Sequence, residues 1–138
     1  MAGILPQAAE LDTLTDMIAS LLDGWFMHLF SGNYTPTNTT TLATLVSNEA
    51  SFTGYAASAL TTWSSPTIDG TTAAITTSTQ GLFTGTGVSG TGNVYGYFLS
   101  NSGVTKLYGC ERFASAPLSE PQNVTLEVDI TYSAISRF

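Results

Sequence analysis

The feature that most constrains the fold is a stretch of strict alternation at residues 123–133, NVTLEVDITYS. Apolar side chains occupy every second position, at Val124, Leu126, Val128, Ile130 and Tyr132. This period of two places them on one face of a β-strand. A strand with one dry face needs antiparallel neighbours and a second layer over that face. The chain is therefore predicted to be mainly β, as a sandwich or a closed sheet, and we expect an antiparallel β-sandwich of the jelly-roll type.

An amphipathic helix is predicted ahead of this β body. Between residues 7 and 22, apolar side chains recur at helical spacing, at Leu11, Leu14, Ile18 and Leu22. We expect a helix or arm at residues 1–24 and a β-sandwich body at residues 25–138, which together make a single domain. The helix is expected to cap the end of the sheet, and the alternative is an arm laid on a neighbouring subunit.

The run WFMHLF at residues 25–30 is apolar except for His28. Its length and composition predict a strand that is covered on both faces. The sequence shows no carboxylate and no second metal ligand near this histidine. We therefore expect His28 to be a hydrogen-bonded residue of the core or of an interface rather than a metal ligand.

The clearest local pairing is a hairpin of strands at residues 94–99 and 106–113, which a glycine-containing turn separates. Weaker patterns predict three more elements: a short helical turn at 42–49, a strand at 51–63 interrupted at Gly54, and a strand at 71–79 with Ala73, Ile75 and Thr77 on its inner face. The connection at residues 114–122 contains Pro117 and Pro121 and is predicted to pair only in part.

Three glycines, Gly85, Gly87 and Gly90, have the spacing of a dinucleotide-binding turn. Such a turn must lead into a helix, whereas residues 91–99 have the composition of a strand. The glycines are therefore interpreted as a flexible loop between strands, without a phosphate ligand.

Charge excludes several classes of partner. The chain has 138 residues and a net charge of −7, with only Lys106, Arg112 and Arg137 as permanent cations. Nucleic acids and anionic membranes bind clusters of Lys and Arg, so neither is an expected partner. Residues 1–13 lack the pattern of a secretory signal, and no apolar run reaches the roughly 20 residues of a membrane span. Charged residues make up only 9% of the chain, so the surface is expected to be hydroxyl-rich and largely occupied by neighbouring molecules.

The sequence gives little sign of catalytic equipment. Its one histidine lies in an apolar run without a visible nucleophile, so we expect no catalytic residue, no cofactor and no metal. The alternative site is the pair Glu127 and Asp129, which share one predicted strand face and would act as carboxylates of a small glycan hydrolase or as calcium ligands. Cys110, the only cysteine, is interpreted as a small buried apolar side chain.

Large aromatic side chains admit two interpretations, a sugar-stacking platform or packing in the core or a subunit interface. The set is Trp25, Trp63, Tyr95 and Tyr97. Packing is the expected role, because large aromatics dominate both cores and interfaces.

Four short segments follow one another within residues 25–115: Leu29-Phe30, Asn33-Tyr34-Thr35-Pro36-Thr37, Phe52-Thr53-Gly54-Tyr55, and Gly96-Tyr97-Phe98-Leu99 ahead of Phe113. Their order resembles a group of small virion-associated proteins of tailed bacteriophages. Some small β proteins of such phages are head decoration, or cement, proteins. None of the four segments carries a catalytic motif, so the resemblance implies a structural protein and not an enzyme.

The resemblance implies a location on the capsid surface of a virion. There the protein would bind the outer face of the major capsid protein shell and stabilise it. A homotrimer is expected, because three linked copies multiply weak attachments. The expected contact residues are Leu14, Ile18, Leu22, Trp25 and Trp63. The alternative is a tail-associated or receptor-binding virion protein that grips a host glycan.

Overall fold

The computed structural model describes residues 6–20, 24–69, 72–76, 80–86 and 92–134. The prediction of a mainly β chain is confirmed, since 37% of the residues lie in strands and 14% in helices. All the described strand pairs are antiparallel, and the sheets that they form do not close on themselves.

The described elements follow the chain in this order: α1 Gln7–Ser20, β1 Trp25–Phe30, α2 Leu42–Ser47, β2 Ser58–Leu60, β3 Thr67–Asp69, β4 Thr72–Thr76, β5 Gly81–Thr84, β6 Asn93–Val94, β7 Gly96–Asn101, β8 Leu107–Arg112, β9 Leu118–Ser119, β10 Thr125–Val128 and β11 Thr131–Ala134. The largest sheet has the strand order β2-β1-β7-β8. Three smaller groups of strands accompany it, with the orders β10-β5, β11-β4-β3 and β6-β9.

Strand β1 lies inside the central sheet and is covered on both faces, as its apolar run predicts. On one face, Met27 and Leu29 belong to the large cluster, a core group formed by Trp25, Met27, Leu29, Ala50, Phe52, Leu60, Phe83, Val94, Leu99, Val128 and Ile130. On the other face, Phe30 belongs to the small cluster, which it forms with Leu45 of α2 and Phe98 of β7. Alternation along β1 thus supplies two separate cores.

Helix α1 packs on the chain itself, against β4 and β3. Leu14 is fully buried, whereas Asp12 and Asp16 are exposed. Contact with its own sheet is the arrangement expected of a helix that caps the sheet. Leu22 and the side chain of Ile18, two of the expected contact residues, lie outside the described residues.

The alternating stretch at residues 123–133 does not form one strand, so that part of the prediction is wrong. Strand β10 pairs with β5, and β11 pairs with β4. Four residues, 77–80, separate β4 from β5, but only two, 129–130, separate β10 from β11. One uninterrupted ladder cannot accommodate gaps of unequal length, because each strand residue needs an opposite partner. The ladder therefore breaks at residues 129–130, and Gln80 Nε2 donates to Asp129 Oδ1 there at 2.8 Å.

The strand predicted at residues 51–63 is also largely wrong, because only Ser58–Leu60 is a strand. The chain turns at Gly54, which has a φ of +89°. A Cβ atom at this position would lie 2.7 Å from the Thr84 carbonyl oxygen. The glycine therefore allows the backbone at residue 54 to approach the backbone at Thr84 closely, and the predicted strand is interrupted there.

The remaining local predictions have mixed outcomes. The predicted hairpin is confirmed as β7 and β8. The predicted helical turn is confirmed as α2, and the side chain of its N-cap residue Thr41 accepts a hydrogen bond from the Thr44 amide. Of the strand predicted at 71–79, the structure describes Thr72–Thr76 as a strand, and the rest of the range lies outside the described residues, as do the side chains of its predicted inner face. Gly87 and Gly90 of the glycine-rich loop also lie outside them. The proline-containing connection pairs only through β9, with β6.

Candidate functional site

The most distinctive polar arrangement of the described chain is a buried network around His28. This side chain on β1 is only 4% exposed. Its Nδ1 lies 2.7 Å from Glu49 Oε1, and its Nε2 lies 2.9 Å from Ser100 Oγ. Both ring nitrogens are therefore hydrogen-bonded inside the protein, as buried polar groups require.

Three elements bring this network together. Antiparallel pairing of β1 with β7 places Ser100 near His28, whose ring also stacks on Phe98 with a centroid separation of 4.6 Å. Glu49 follows α2 and pairs by a backbone bridge with Phe30. Tyr55 completes the network, because its hydroxyl donates to Glu49 Oε1 at 2.7 Å and accepts from the Leu29 amide at 3.1 Å.

Ser100 contacts His28, and His28 in turn contacts Glu49. This order of contacts and their distances are those of a catalytic triad. The interpretation that His28 has no carboxylate nearby is therefore wrong, whereas its hydrogen-bonded core position is confirmed. A nucleophile must also reach its substrate, and Ser100 is 0% exposed. Its hydroxyl is in addition committed to the Asn101 carbonyl oxygen, to which it donates at 2.9 Å. In this conformation the three side chains tie β1, β7 and the end of α2 together, and Ser100 cannot contact a substrate.

The Tyr55 hydroxyl gives this network a pH dependence. Burial raises the pKa of Tyr55 above its ordinary value of 10.0, and the hydrogen bond to Glu49 raises it further. The unfolded chain loses this proton at a lower pH than the folded chain. The stabilisation is therefore complete below about pH 10 and is lost as the pH rises through the raised pKa.

We expect the urea concentration at the midpoint of unfolding to decrease as the pH rises above about 10, and Tyr55→Phe to make this decrease shallower. The slope, not the absolute stability, is the informative readout, because the substitution also removes a hydrogen bond. Burial and Glu111 likewise raise the pKa of Tyr97, so part of the slope should remain. If stability falls with pH as steeply in Tyr55→Phe as in the parent protein, the Tyr55 hydroxyl has the same pKa in the folded and the unfolded chain, and the prediction is wrong.

The predicted pair of carboxylates does not form one site. Glu127 lies on β10, with Leu82 as its partner across the ladder, and is exposed. Asp129 lies in the break after β10 and accepts a hydrogen bond from Gln80. Asp129 borders an open hollow of about 290 Å³, which Glu127 does not line. Glu127 and Asp129 therefore lie on different parts of the surface and do not act as a pair.

The four aromatic residues do not form a common stacking surface. Trp25 is 4% exposed, because Tyr108 stacks on it at 4.5 Å and the edge of Trp63 approaches it at 5.2 Å. Tyr95 lies under the guanidinium of Arg112, and Tyr97 lies against Phe113. Among the three expected contact residues whose side chains the structure describes, Leu14 and Trp25 are packed within their own chain and Trp63 is partly exposed.

Other candidate centres are weaker. Burial raises the pKa of the Cys110 thiol, which disfavours the reactive thiolate. Within the described segments, no group of three or more His, Cys, Asp and Glu side chains is placed to hold a metal ion. Neither of the two helices given above is long and apolar enough to cross a membrane. Comparison with models of protein families, with curated proteins and with solved structures finds no match to this chain.

Proposed function

We propose that this chain is a capsid decoration protein of a tailed bacteriophage, which binds the outer surface of the major capsid protein shell as a homotrimer and stabilises it. It acts by contact and catalyses no reaction. The observation that carries the proposal is a low-charge, hydroxyl-rich strand surface on which large apolar side chains are exposed. The resemblance of the four short segments at residues 25–115 points to the same class of protein.

The body proposed for this protein is a β-sandwich. The large cluster contains Met27 and Leu99 from the central sheet, together with Phe83 of β5 and Val128 of β10. Apolar side chains from two groups of strands therefore meet in one core, which is how the layers of a sandwich are held together. The opposite surface of the β5–β10 pair is then free for another molecule.

That outer surface combines hydroxyl and apolar groups. Leu82 on β5 is 50% exposed, and next to it the Thr84 and Thr125 hydroxyls are hydrogen-bonded to each other at 2.8 Å. Val124, which precedes β10 and shares the alternation of Leu126 and Val128 rather than that of Thr125, is also 58% exposed. The exposed carboxylate of Glu127 lies on the same face, directly opposite Leu82 across the ladder. Exposed apolar side chains grouped with hydroxyls are typical of protein interfaces.

The buried network also supports a contact protein. Its histidine and serine are used inside the fold and lie away from the surface. A decoration protein has to withstand the conditions that the shell meets, and it benefits from polar groups that fix its strands and do not react. A single copy has a limited contact area, so a trimer gains shell affinity through avidity.

The substitution Leu82→Asp is expected to weaken binding to undecorated capsid shells, which do not yet carry this protein. The expected weakening is at least about tenfold, because the substitution places a charge in the proposed contact surface. Its free energy of unfolding should fall by about 1 kcal/mol, because aspartate is disfavoured in a strand and would face Glu127 across the ladder, and circular dichroism should show that the variant remains folded. Co-sedimentation with such shells measures the binding, and light scattering during gel filtration measures the trimer.

Val46→Asp is the matched control, because Val46 is 42% exposed and lies on α2, on the side of the small cluster. It should bind shells like the parent protein. If Leu82→Asp binds shells as tightly as the parent protein does, the outer surface of the β5–β10 pair is not the contact surface. A parent protein that does not sediment with shells at all would remove the proposed function itself.

A further inference from the structure

The open hollow of about 290 Å³ lies where the β7–β8 hairpin meets the break in the alternating stretch. It is lined by Tyr97, Glu111, Arg112, Phe113, Ala114, Val128 and Asp129. The proposed shell-binding surface on β5 does not use these residues. The break in strand pairing at residues 129–130 thus lies beside a concave feature, and local departures from regular structure are common at binding sites.

Two carboxylates face this hollow against one cation, so the formal charge of its lining is −1. The cation is held elsewhere. Arg112 Nη1 donates to Asn33 Oδ1 and to the Tyr34 carbonyl oxygen, both at 3.1 Å. The guanidinium carbon lies 5.1 Å from the ring centre of Tyr95. None of these three partners lines the hollow, so the acids Glu111 and Asp129 dominate its charge.

Each carboxylate is held in place through one of its oxygens. Tyr97 donates its hydroxyl to Glu111 Oε2 at 2.9 Å, and Gln80 Nε2 donates to Asp129 Oδ1 at 2.8 Å. Neutral donors fix the orientation of the acids without cancelling their charge. The rings of Tyr97 and Phe113 line the same hollow, with centroids 6.0 Å apart and planes inclined at 39°. Oriented carboxylates next to aromatic rings match an organic cation, which both groups attract.

We propose that this hollow binds the cationic side chain of an arginine or lysine that a protein partner inserts into it. A chain with a net charge of −7 and only three basic residues has its electrostatic complement in a basic surface. The volume suits one long side chain and is small for a folded element. The identification of that partner as the major capsid protein rests on the proposed function, whereas the chemistry of the hollow does not.

The test is a titration of the ¹⁵N-labelled full chain with N-acetyl-arginine amide, followed by NMR. Because exposed charge pairs are individually weak, the expected dissociation constant is about 10 mM, with shifts centred on residues 111–114 and 128–129. N-acetyl-citrulline amide, which has the same shape without the charge, should bind at least about fivefold more weakly. Methyl α-glucoside, a neutral sugar, should cause no shifts at these residues.

The combined variant Glu111→Gln, Asp129→Asn should weaken binding of the arginine amide at least about tenfold, while Glu127→Gln, which removes one carboxylate outside the hollow, should leave it unchanged. The dispersion of the NMR spectrum shows that each variant is folded. The proposal is overturned if the citrulline amide or the glucoside binds as tightly as the arginine amide. It is also overturned if the shifts survive in the combined variant, or if the parent protein shows no shifts. Because shells are not used, this result is independent of whether the protein binds a capsid.

Discussion

Replacing Phe30 with alanine is expected to lower the free energy of unfolding by about 4 kcal/mol, the largest effect of any single substitution that we consider. Phe30 is fully buried on the face of β1 that carries the small cluster, and its ring stacks on Tyr34 at a centroid distance of 5.1 Å. Truncation removes most of the apolar area of this core and leaves a cavity beneath α2. Urea unfolding followed by circular dichroism measures the loss.

Phe30→Leu and Val46→Ala are the controls for this prediction. Leucine refills most of the space, so we expect a loss of about 1 kcal/mol, and the exposed Val46 should contribute less than about 0.5 kcal/mol. A loss below about 1 kcal/mol for Phe30→Ala would show that β1 has only one buried face, contrary to the fold described above.

Glu49→Ala is expected to lower the free energy of unfolding by about 3 kcal/mol, although the Glu49 side chain is 25% exposed. The substitution removes the acceptor of two donors at once, the His28 Nδ1 and the Tyr55 hydroxyl. Both groups then remain inside the protein without that partner, and it is this desolvation that makes the loss large. The same urea unfolding experiment measures it.

A double-mutant cycle separates this network from a simple loss of packing. Glu49→Ala combined with Tyr55→Phe should be less destabilising than the sum of the single variants, by about 1 kcal/mol, because the second change removes a donor that the first leaves unpaired. Glu127→Ala, at an exposed glutamate of β10, should change stability by less than about 0.5 kcal/mol. Strict additivity in the cycle would mean that Tyr55 and Glu49 do not share a hydrogen bond of any consequence.

The parts of the fold that the sequence predicts well are those that depend on short-range patterns. The apolar run at residues 25–30 indicates a strand with two buried faces, because its composition leaves no polar side for water. The hairpin of β7 and β8 is equally local, since a glycine-containing turn joins two strand-like segments. In both cases the residues that decide the structure lie within about twenty positions of each other.

Alternation in the stretch at residues 123–133 predicts which side chains are buried, but it does not predict whether the ladder is continuous. Val128 and Ile130, on either side of Asp129, are both buried, as a period of two requires. The break between them depends on the length of the gap in the opposite strands, which lies about fifty residues earlier in the chain. No pattern within the stretch itself contains that information.

The buried network and the hollow depend on similarly distant partners. Glu49 lies 21 positions and Ser100 lies 72 positions from His28. A single polar residue inside an apolar run is a signal that partners must exist, because a buried imidazole needs them, but it does not say which residues they are. In the hollow, the distant partner is Gln80, whose amide orients Asp129 from 49 positions earlier in the chain. Strand order decides both sites, and strand order is not written in any local spacing.

We propose that this chain works by covering a capsid shell, and cryo-electron microscopy of intact phage particles tests this proposal most directly. The account predicts density over the outer face of the major capsid protein, in groups of three and with copies on the order of hundreds per particle. Density confined to the tail, with about a dozen copies or fewer, would contradict it, and so would a particle in which the protein is found nowhere on the surface.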